Sequence, residues 1–237
     1  DMHVPHVILS PAEKISGNIQ SAARTARYTL LAQAAEQHDC AYIATAHHAD
    51  DQLETILMRI SRGSGVDGLS AIRSTNGNIL RPLLGFTKDE LIAICANAGL
   101  DPVKDPSNEN SDFERVTMRN WLASTAHPFR ADRAARTASA MADASEALNW
   151  MTELLTQERV QFDKDAVSCD MRAVPREIQR RLLIYCLKLL EADLAPRGDA
   201  IDRLILELSE GRTASMGLVK CEGGQHWRFT MAPTRRN

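Results

Sequence analysis

Residues Thr45 to Gly68 read T-A-H-H-A-D-D-Q-L-E-T-I-L-M-R-I-S-R-G-S-G-V-D-G, and this stretch decides how the rest of the chain is read. Between His47 and Glu54 it holds two histidines, two aspartates and a glutamate. A packed core does not need that density of ionisable groups, whereas a site for a polyphosphate and a metal does. The residues before it, Ala41 to Ala46, read as a buried strand with Tyr42, Ile43 and Thr45 as β-formers. The residues after it, Asp50 to Arg62, read as a helix with Leu53, Ile56, Leu57 and Ile60 as its apolar stripe, ended by Gly63 and Gly65. If that helix begins at or just before His47, His47 and Asp51 share one face. Asp51 then lies in a first turn whose unpaired N–H groups attract phosphate. A carboxylate there can hold Mg2+, and an imidazole beside it can hydrogen-bond a phosphate or orient an attacking group. Asp50 or Asp51 as a plain helix cap is the competing reading.

Working outward, Val7-Ile8-Leu9 is a candidate strand, and Asn18 to about His38 a helix with Asn18 as N-cap and Ile19, Ala22, Ala23, Ala26 and Leu30 on one side. Ile79 to Leu84 is a short extended segment interrupted by Pro82. Thr87 and Glu90 form a capping box for a helix running to about Ala98, with Gly99 beyond it. Asp105-Pro106-Ser107-Asn108 is a turn cluster. Ser64-Gly65-Val66-Asp67 looks like a phosphate loop but follows a helix instead of opening one, so it reads as a C-cap and turn. Strand and helix alternating in this way predict an α/β domain with a parallel sheet over 1–128. From 129 to 237 the chain reads as a mainly helical second domain: Arg130 to Arg159, Pro175 to Leu190 and a helix capped by Asp199, then two β-like runs, Gly217–Lys220 and His226–Phe229, joined through Gly223-Gly224. Stripes at Leu182 and Leu204 are expected to pack inside that domain, although an oligomer would also use them.

Composition excludes several classes. At 237 residues with 44% hydrophobic and 25% charged content, the chain is an ordinary globular one. No run of about 18 apolar residues occurs, so no membrane partner is expected. The start, D-M-H-V-P-H, lacks the marks of a signal peptide, and the default expectation is a cytoplasmic protein. Cys40, Cys95, Cys169, Cys186 and Cys221 are scattered and never in C-x-x-C spacing, which fits buried small hydrophobes in a reducing compartment. The net charge is −3, but five arginines stand against one acid between Arg115 and Arg136. Basic faces on a mildly acidic protein suit a nucleic acid bound at one surface, as well as ordinary solvated helices. Arg115 and Arg119, four apart on a helix, read either as a phosphate clamp or as surface arginines facing Asp112 or Glu114.

These segments together resemble the N-type ATP pyrophosphatase, or PP-loop, family, and within it the lysidine-forming enzymes of tRNA modification. Ala23-Arg24-Thr25-Ala26-Arg27-Tyr28 is similar to the family's A-R-x-x-R-Y helix, and Thr45–Gly68 to its H-H-x-D-D-Q-x-E-T and R-G-S-G-x-x-G-L segments. Arg81-Pro82-Leu83-Leu84, Asp105-Pro106-Ser107-Asn108 and Arg115–Asn120 follow in family order. The resemblance covers roughly residues 5–127, and more loosely Pro175 onward. It implies a partial adenine-nucleotide α-hydrolase-like parallel sheet, ATP and Mg2+ as cofactors, and a tRNA(Ile) with a CAU anticodon and L-lysine as partners. It implies adenylation of C2 of the wobble cytidine, then displacement of AMP by lysine. His47, Asp51, Arg115 and Arg119 would be catalytic; His47, His48, Asp51 and Glu54 would hold the nucleotide, with Asp51 on the metal. Arg24, Arg27, Arg133 and Arg180 would meet the tRNA. The family's S-G-G-x-D-S loop is not found in this sequence, so an N-terminally incomplete nucleotide domain with poor ATP binding is expected. A tRNA thiolase of the same superfamily and a non-catalytic tRNA-binding module are the alternative readings.

Overall fold

The computed structural model describes residues 4–11, 19–103, 114–196 and 198–232. The expected cap Asn18, the Asp105–Asn108 turn and Asp112 lie outside the described residues. Two compact units divide the chain, Asp1–Ala142 and Asp143–Asn237. The division falls inside one long helix. Among the described residues no helix is long and apolar enough to cross a membrane.

The first unit runs α1 (Ile19–Gln37), β1 (Ile43–Ala44), α2 (Ala49–Ser61), α3 (Val66–Leu69), β2 (Thr75–Asn76), β3 (Ile79–Leu80), α4 (Lys88–Asn97), α5 (Glu114–Ser124) and the start of α6 (Ala131–Arg159). Its sheet has the order β1-β3-β2. Strands β1 and β3 are parallel, with Ile43 opposite Ile79 and Ala44 opposite Leu80. Strand β2 joins antiparallel through a tight turn in which Gly77 takes φ 58°. That left-handed position favours glycine. The α/β class holds, with this antiparallel strand added to the parallel pair.

Several sequence expectations are corrected here. Val7-Ile8-Leu9 pairs with no strand among the described residues and lies exposed, Ile8 at 89%. The Ala41–Ala46 strand shrinks to two residues; Ile43 is buried but Tyr42 is 63% exposed. On α2, Leu53 and Ile56 are buried while Ile60, in the last turn, is 57% exposed. Helix α2 ends as predicted: Gly63 takes φ 67°, and the N–H groups of Gly63 and Ser64 reach back to the carbonyls of Ile60 and Arg59. Gly65 then starts the single turn of α3. The Thr87 box closes as expected: Glu90 Oε2 accepts from Thr87 N–H at 2.7 Å and Thr87 Oγ1 from Glu90 N–H at 3.3 Å.

The second unit holds the end of α6, then β4 (Val160–Asp163), β5 (Ala166–Asp170), α7 (Arg176–Leu190), α8 (Gly198–Ser209), β6 (Thr213–Met216), β7 (Val219–Glu222) and β8 (His226–Met231). Beside its helices stands a five-stranded sheet, all antiparallel, in the order β4-β5-β8-β7-β6. The two β-like runs expected from sequence are β7 and β8, but Gly217 belongs to the β6–β7 turn at φ 58°. Trp227 and Phe229 of β8, and Val219 and Cys221 of β7, alternate inward. They meet Leu182, Leu183 and Leu187 of α7 and Ile201, Leu204 and Leu208 of α8 in one apolar core. The Leu182 and Leu204 stripes are therefore core. Of the five cysteines, all free, Cys169, Cys186 and Cys221 are buried; Cys40 is exposed and Cys95 partly so.

Candidate functional site

The β1–α2 junction gathers the ionisable groups. Helix α2 starts at Ala49 with His48 as its N-cap, so His47 precedes the helix. His47 and Asp51 are therefore not two residues of one helical face, as the spacing suggested. The loop from β1 brings them together, because the strand ends at Ala44 and four residues of loop lead into the helix that starts at Ala49. Thr45 Oγ1 lies 2.9 Å from His47 Nδ1 and fixes the ring. Partial burial holds the His47 pKa below its ordinary value, against the pull of Asp51, and Arg81, Arg115 and Arg24 push it the same way as burial. His47 is thus neutral near pH 7.

Asp51 is the third helical residue, and its Oδ2 accepts the His48 N–H at 3.0 Å. The capping reading and the functional reading thus coexist: one oxygen closes the helix start, and Oδ1 faces Arg115 Nη2 at 3.8 Å. His48 sits between two carboxylates, Nδ1 at 3.5 Å from Asp50 and Nε2 at 3.6 Å from Asp51. Asp50 chiefly raises its pKa, and His48 in return lowers that of Asp50. Asp50 also accepts the Lys88 N–H at 2.7 Å, tying the starts of α2 and α4 together. The Ala49 N–H donates to Phe86 carbonyl at 2.8 Å in the same seam.

One turn further along α2 from Asp51, Glu54 is only 3% exposed. Arg115 Nε donates to its Oε2 at 3.0 Å, and Arg119 Nε to its Oε1 at 2.7 Å. Arg115 Nη2 also reaches Thr55 Oγ1 at 3.1 Å. The two arginines therefore face Glu54, not Glu114, which pairs with Arg62. A buried carboxylate held by two guanidinium groups is a rigid brace between α2 and α5. Gln52, also buried, clips the chain beyond α3 by bonding both the N–H and the carbonyl of Ile72.

Of the expected site residues, His47, His48, Asp51, Glu54, Arg115 and Arg119 thus gather around α2. Arg24 stands over the Tyr28 ring, 5.0 Å from its centroid, and is near enough to His47 to act on its charge. Arg27 is exposed on α1, and Arg133 on the first turn of α6. Arg180, in the second unit, lies half-buried on α7 beside Gly198. Thr45, read as a β-former, Asp50, read as a possible cap, and Gln52 were not among the expected site residues. Asp50 and Gln52 act on backbone groups distant in sequence, and Thr45 acts on His47 through a loop geometry that the spacing alone does not show. Among the described residues no three His, Cys, Asp or Glu side chains cluster as a ready metal site.

Residues 1–126 match the family model described as PP-loop domain. Across 98% of this chain and 73% of the relative, the sequence is 38% identical to the tRNA(Ile)-lysidine synthase of Zymomonas mobilis. The chain belongs to the tRNA(Ile)-lysidine synthase family. A second member, from Novosphingobium aromaticivorans, is 37% identical over 92% of this chain and 69% of its own length. A third, from Ruegeria pomeroyi, is 38% identical over 85% of this chain and half of its own length. Family membership makes the chain a ligase of the PP-loop type, a class that uses ATP. The cluster at the start of α2 lies within the matched residues.

Proposed function

We propose that the parent protein ligates L-lysine to C2 of the wobble cytidine in the CAU anticodon of tRNA(Ile), in the cytoplasm, through an adenylated cytidine. The C2 carbonyl oxygen attacks the α-phosphorus of ATP and pyrophosphate leaves. The lysine amine then attacks C2, loses a proton, and AMP leaves. The observation that carries this reading is the placement of His47, held by Thr45, beside Asp51 where a parallel strand ends and a helix starts. Neutral His47 is suited to accept a hydrogen bond or proton from a reacting group. Arg115 and Arg119, fixed on Glu54, bring positive charge for phosphate oxygens or for charge that develops in the reaction. Glu54 then acts as the positioning residue for both and does not touch nucleotide itself.

Asp51 suits Mg2+, because Oδ1 accepts no hydrogen bond from a described residue and Mg2+ commonly takes one or two carboxylates beside phosphate oxygens. Bound there, the ion would neutralise phosphate charge. Arg24, Arg27 and Arg133 would bind the RNA backbone, and Arg180 would do so from the second unit.

The test is incorporation of labelled lysine into a tRNA(Ile) transcript with a CAU anticodon, with ATP and Mg2+ supplied. Wild type should show lysine-dependent AMP release; His47→Ala and Asp51→Asn should each lose about 100-fold or more. RNA binding with no lysine transfer by the parent protein would favour the tRNA-binding module instead.

A further inference from the structure

Arg81 is the one strongly buried cation in the first unit that lacks a carboxylate partner among the described residues. It is 7% exposed. Its Nη1 donates to the Arg73 carbonyl at 2.7 Å, and its Nε is buried without a hydrogen-bond partner. Arg115 and Arg119 are less buried, yet both are matched to Glu54. A guanidinium cannot escape its charge by losing a proton, so burying one unpaired is strongly unfavourable. Such a cost persists where an anion completes the site.

The topology says where that anion would lie. Arg81 follows Leu80, the last residue of β3, and Leu80 stands opposite Ala44 in the parallel neighbour β1. The Thr45 N–H donates to the Leu80 carbonyl at 2.9 Å, so the register carries on past the strand ends. Arg81 therefore leaves the C-terminal end of β3 beside Thr45, whose hydroxyl holds His47. Two parallel strands thus deliver a histidine and an arginine to the same edge, where open α/β sheets receive ligands. Among the cations acting on His47, Arg81 is the strongest. Its backbone is also fixed, since the Arg81 N–H donates to Ser74 carbonyl at 2.9 Å.

We infer that Arg81 binds a phosphate group where the ends of β1 and β3 meet the start of α2. Its planar fork suits phosphate oxygens, and its burial excludes competing water. This assignment rests on the nucleotide reading above and adds a residue to it. The phosphate belongs to the nucleotide or to the RNA backbone, two sources that share the same chemistry.

The experiment compares wild type with Arg81→Met and Arg81→Lys. Each is titrated calorimetrically with ATP, with inorganic pyrophosphate and with an anticodon stem-loop RNA, and the melting temperature is read without ligand. Arg81→Met should weaken one class of phosphate ligand about 10- to 100-fold, with the melting temperature kept or raised. Arg81→Lys should fall between, retaining charge but losing the fork. Loss confined to ATP and pyrophosphate assigns the nucleotide; loss confined to RNA assigns the backbone. A lower melting temperature with wild-type affinities for all three would overturn the inference and make Arg81 a structural residue. Should Arg81→Met not fold, wild-type affinities in Arg81→Lys would overturn it equally. Failure of wild type to bind any of the three would sink the nucleotide reading and this assignment with it.

Discussion

The two units bury different things. In the second, strands β5, β7 and β8 and helices α7 and α8 close on Leu, Ile, Val, Cys, Trp and Phe. In the first, the buried polar side chains among the described residues are Gln52, Glu54, Ser70 and Arg81, all from α2 to just past the end of β3. An apolar core holds itself together through area removed from water. A polar interior is held only when each group finds a partner, and it rigidifies the groups so paired. The contrast teaches that the first unit is organised around positioned charge and the second around packing. Substitutions should therefore fail in different ways in the two.

The largest expected effect tests the packed unit. A Cβ at Gly223 would stand 2.2 Å from the Leu208 carbonyl oxygen and 2.8 Å from that of Arg212. Both are backbone atoms, so the chain itself would have to move. Gly223→Ala should cost about 3 kcal/mol in denaturant unfolding followed through the buried Trp227. A cost under about 0.5 kcal/mol would show that the second unit is looser than its core implies.

Glu54→Gln tests the charged interior. It removes the charge that both Arg115 and Arg119 meet, and should cost about 2 kcal/mol, less than a fully buried pair because both arginines are partly hydrated. Lysine transfer should fall further than stability does, since the arginines lose their aim. Unchanged transfer in a folded Glu54→Gln protein would remove the bracing role.

Thr87→Ala should cost about 1 kcal/mol by opening the capping box of α4. Because Asp50 bonds the neighbouring Lys88 N–H, a small loss of ATP affinity should accompany it. If affinity is untouched, the α2–α4 seam does not serve the site.

The smallest effect is read by pH. His47 and His48 are adjacent yet shifted in opposite directions. By histidine NMR, His47 should titrate below about 6.5 and His48 above it. The signs follow from linkage. The His48 contribution to stability is fully present below its unfolded value and is lost as pH rises through its raised folded value. The Asp50 contribution is present above its unfolded value and is lost as pH falls through its lowered folded value. The pair therefore stabilises most above the ordinary carboxylate range and below the unfolded histidine value of about 6.5, and the His48 share fades from there up to its raised folded value. For His47 the sign is reversed, and its burial costs stability as pH falls below about 6.5. Asp50→Asn should return His48 towards its ordinary value; an unmoved His48 would break the account of the cluster.

Local chemistry was legible in the sequence. The α2 helix, its glycine stop at Gly63, the Thr87–Glu90 box and the stripes of α7 and α8 are all set by residues within a few positions of one another. So was the concentration of charge from His47 to Glu54. The short strand β2 and the hairpin of β4 and β5 were not, because two to five residues carry little periodicity, and β5 also takes a distant partner, Ala166 pairing with Thr230. The motif also suggested that His47 and Asp51 share a helical face, whereas the strand-to-helix turn brings them together. Which charges are matched lay beyond any local pattern. Arg115 and Arg119 find Glu54 some sixty positions away, and Arg81 finds no carboxylate among the described residues. Residue types and their neighbours determine which groups can ionise and where helices begin. Only the folded arrangement decides which of those charges are left facing a ligand, because burial and partners are properties of space and not of order along the chain.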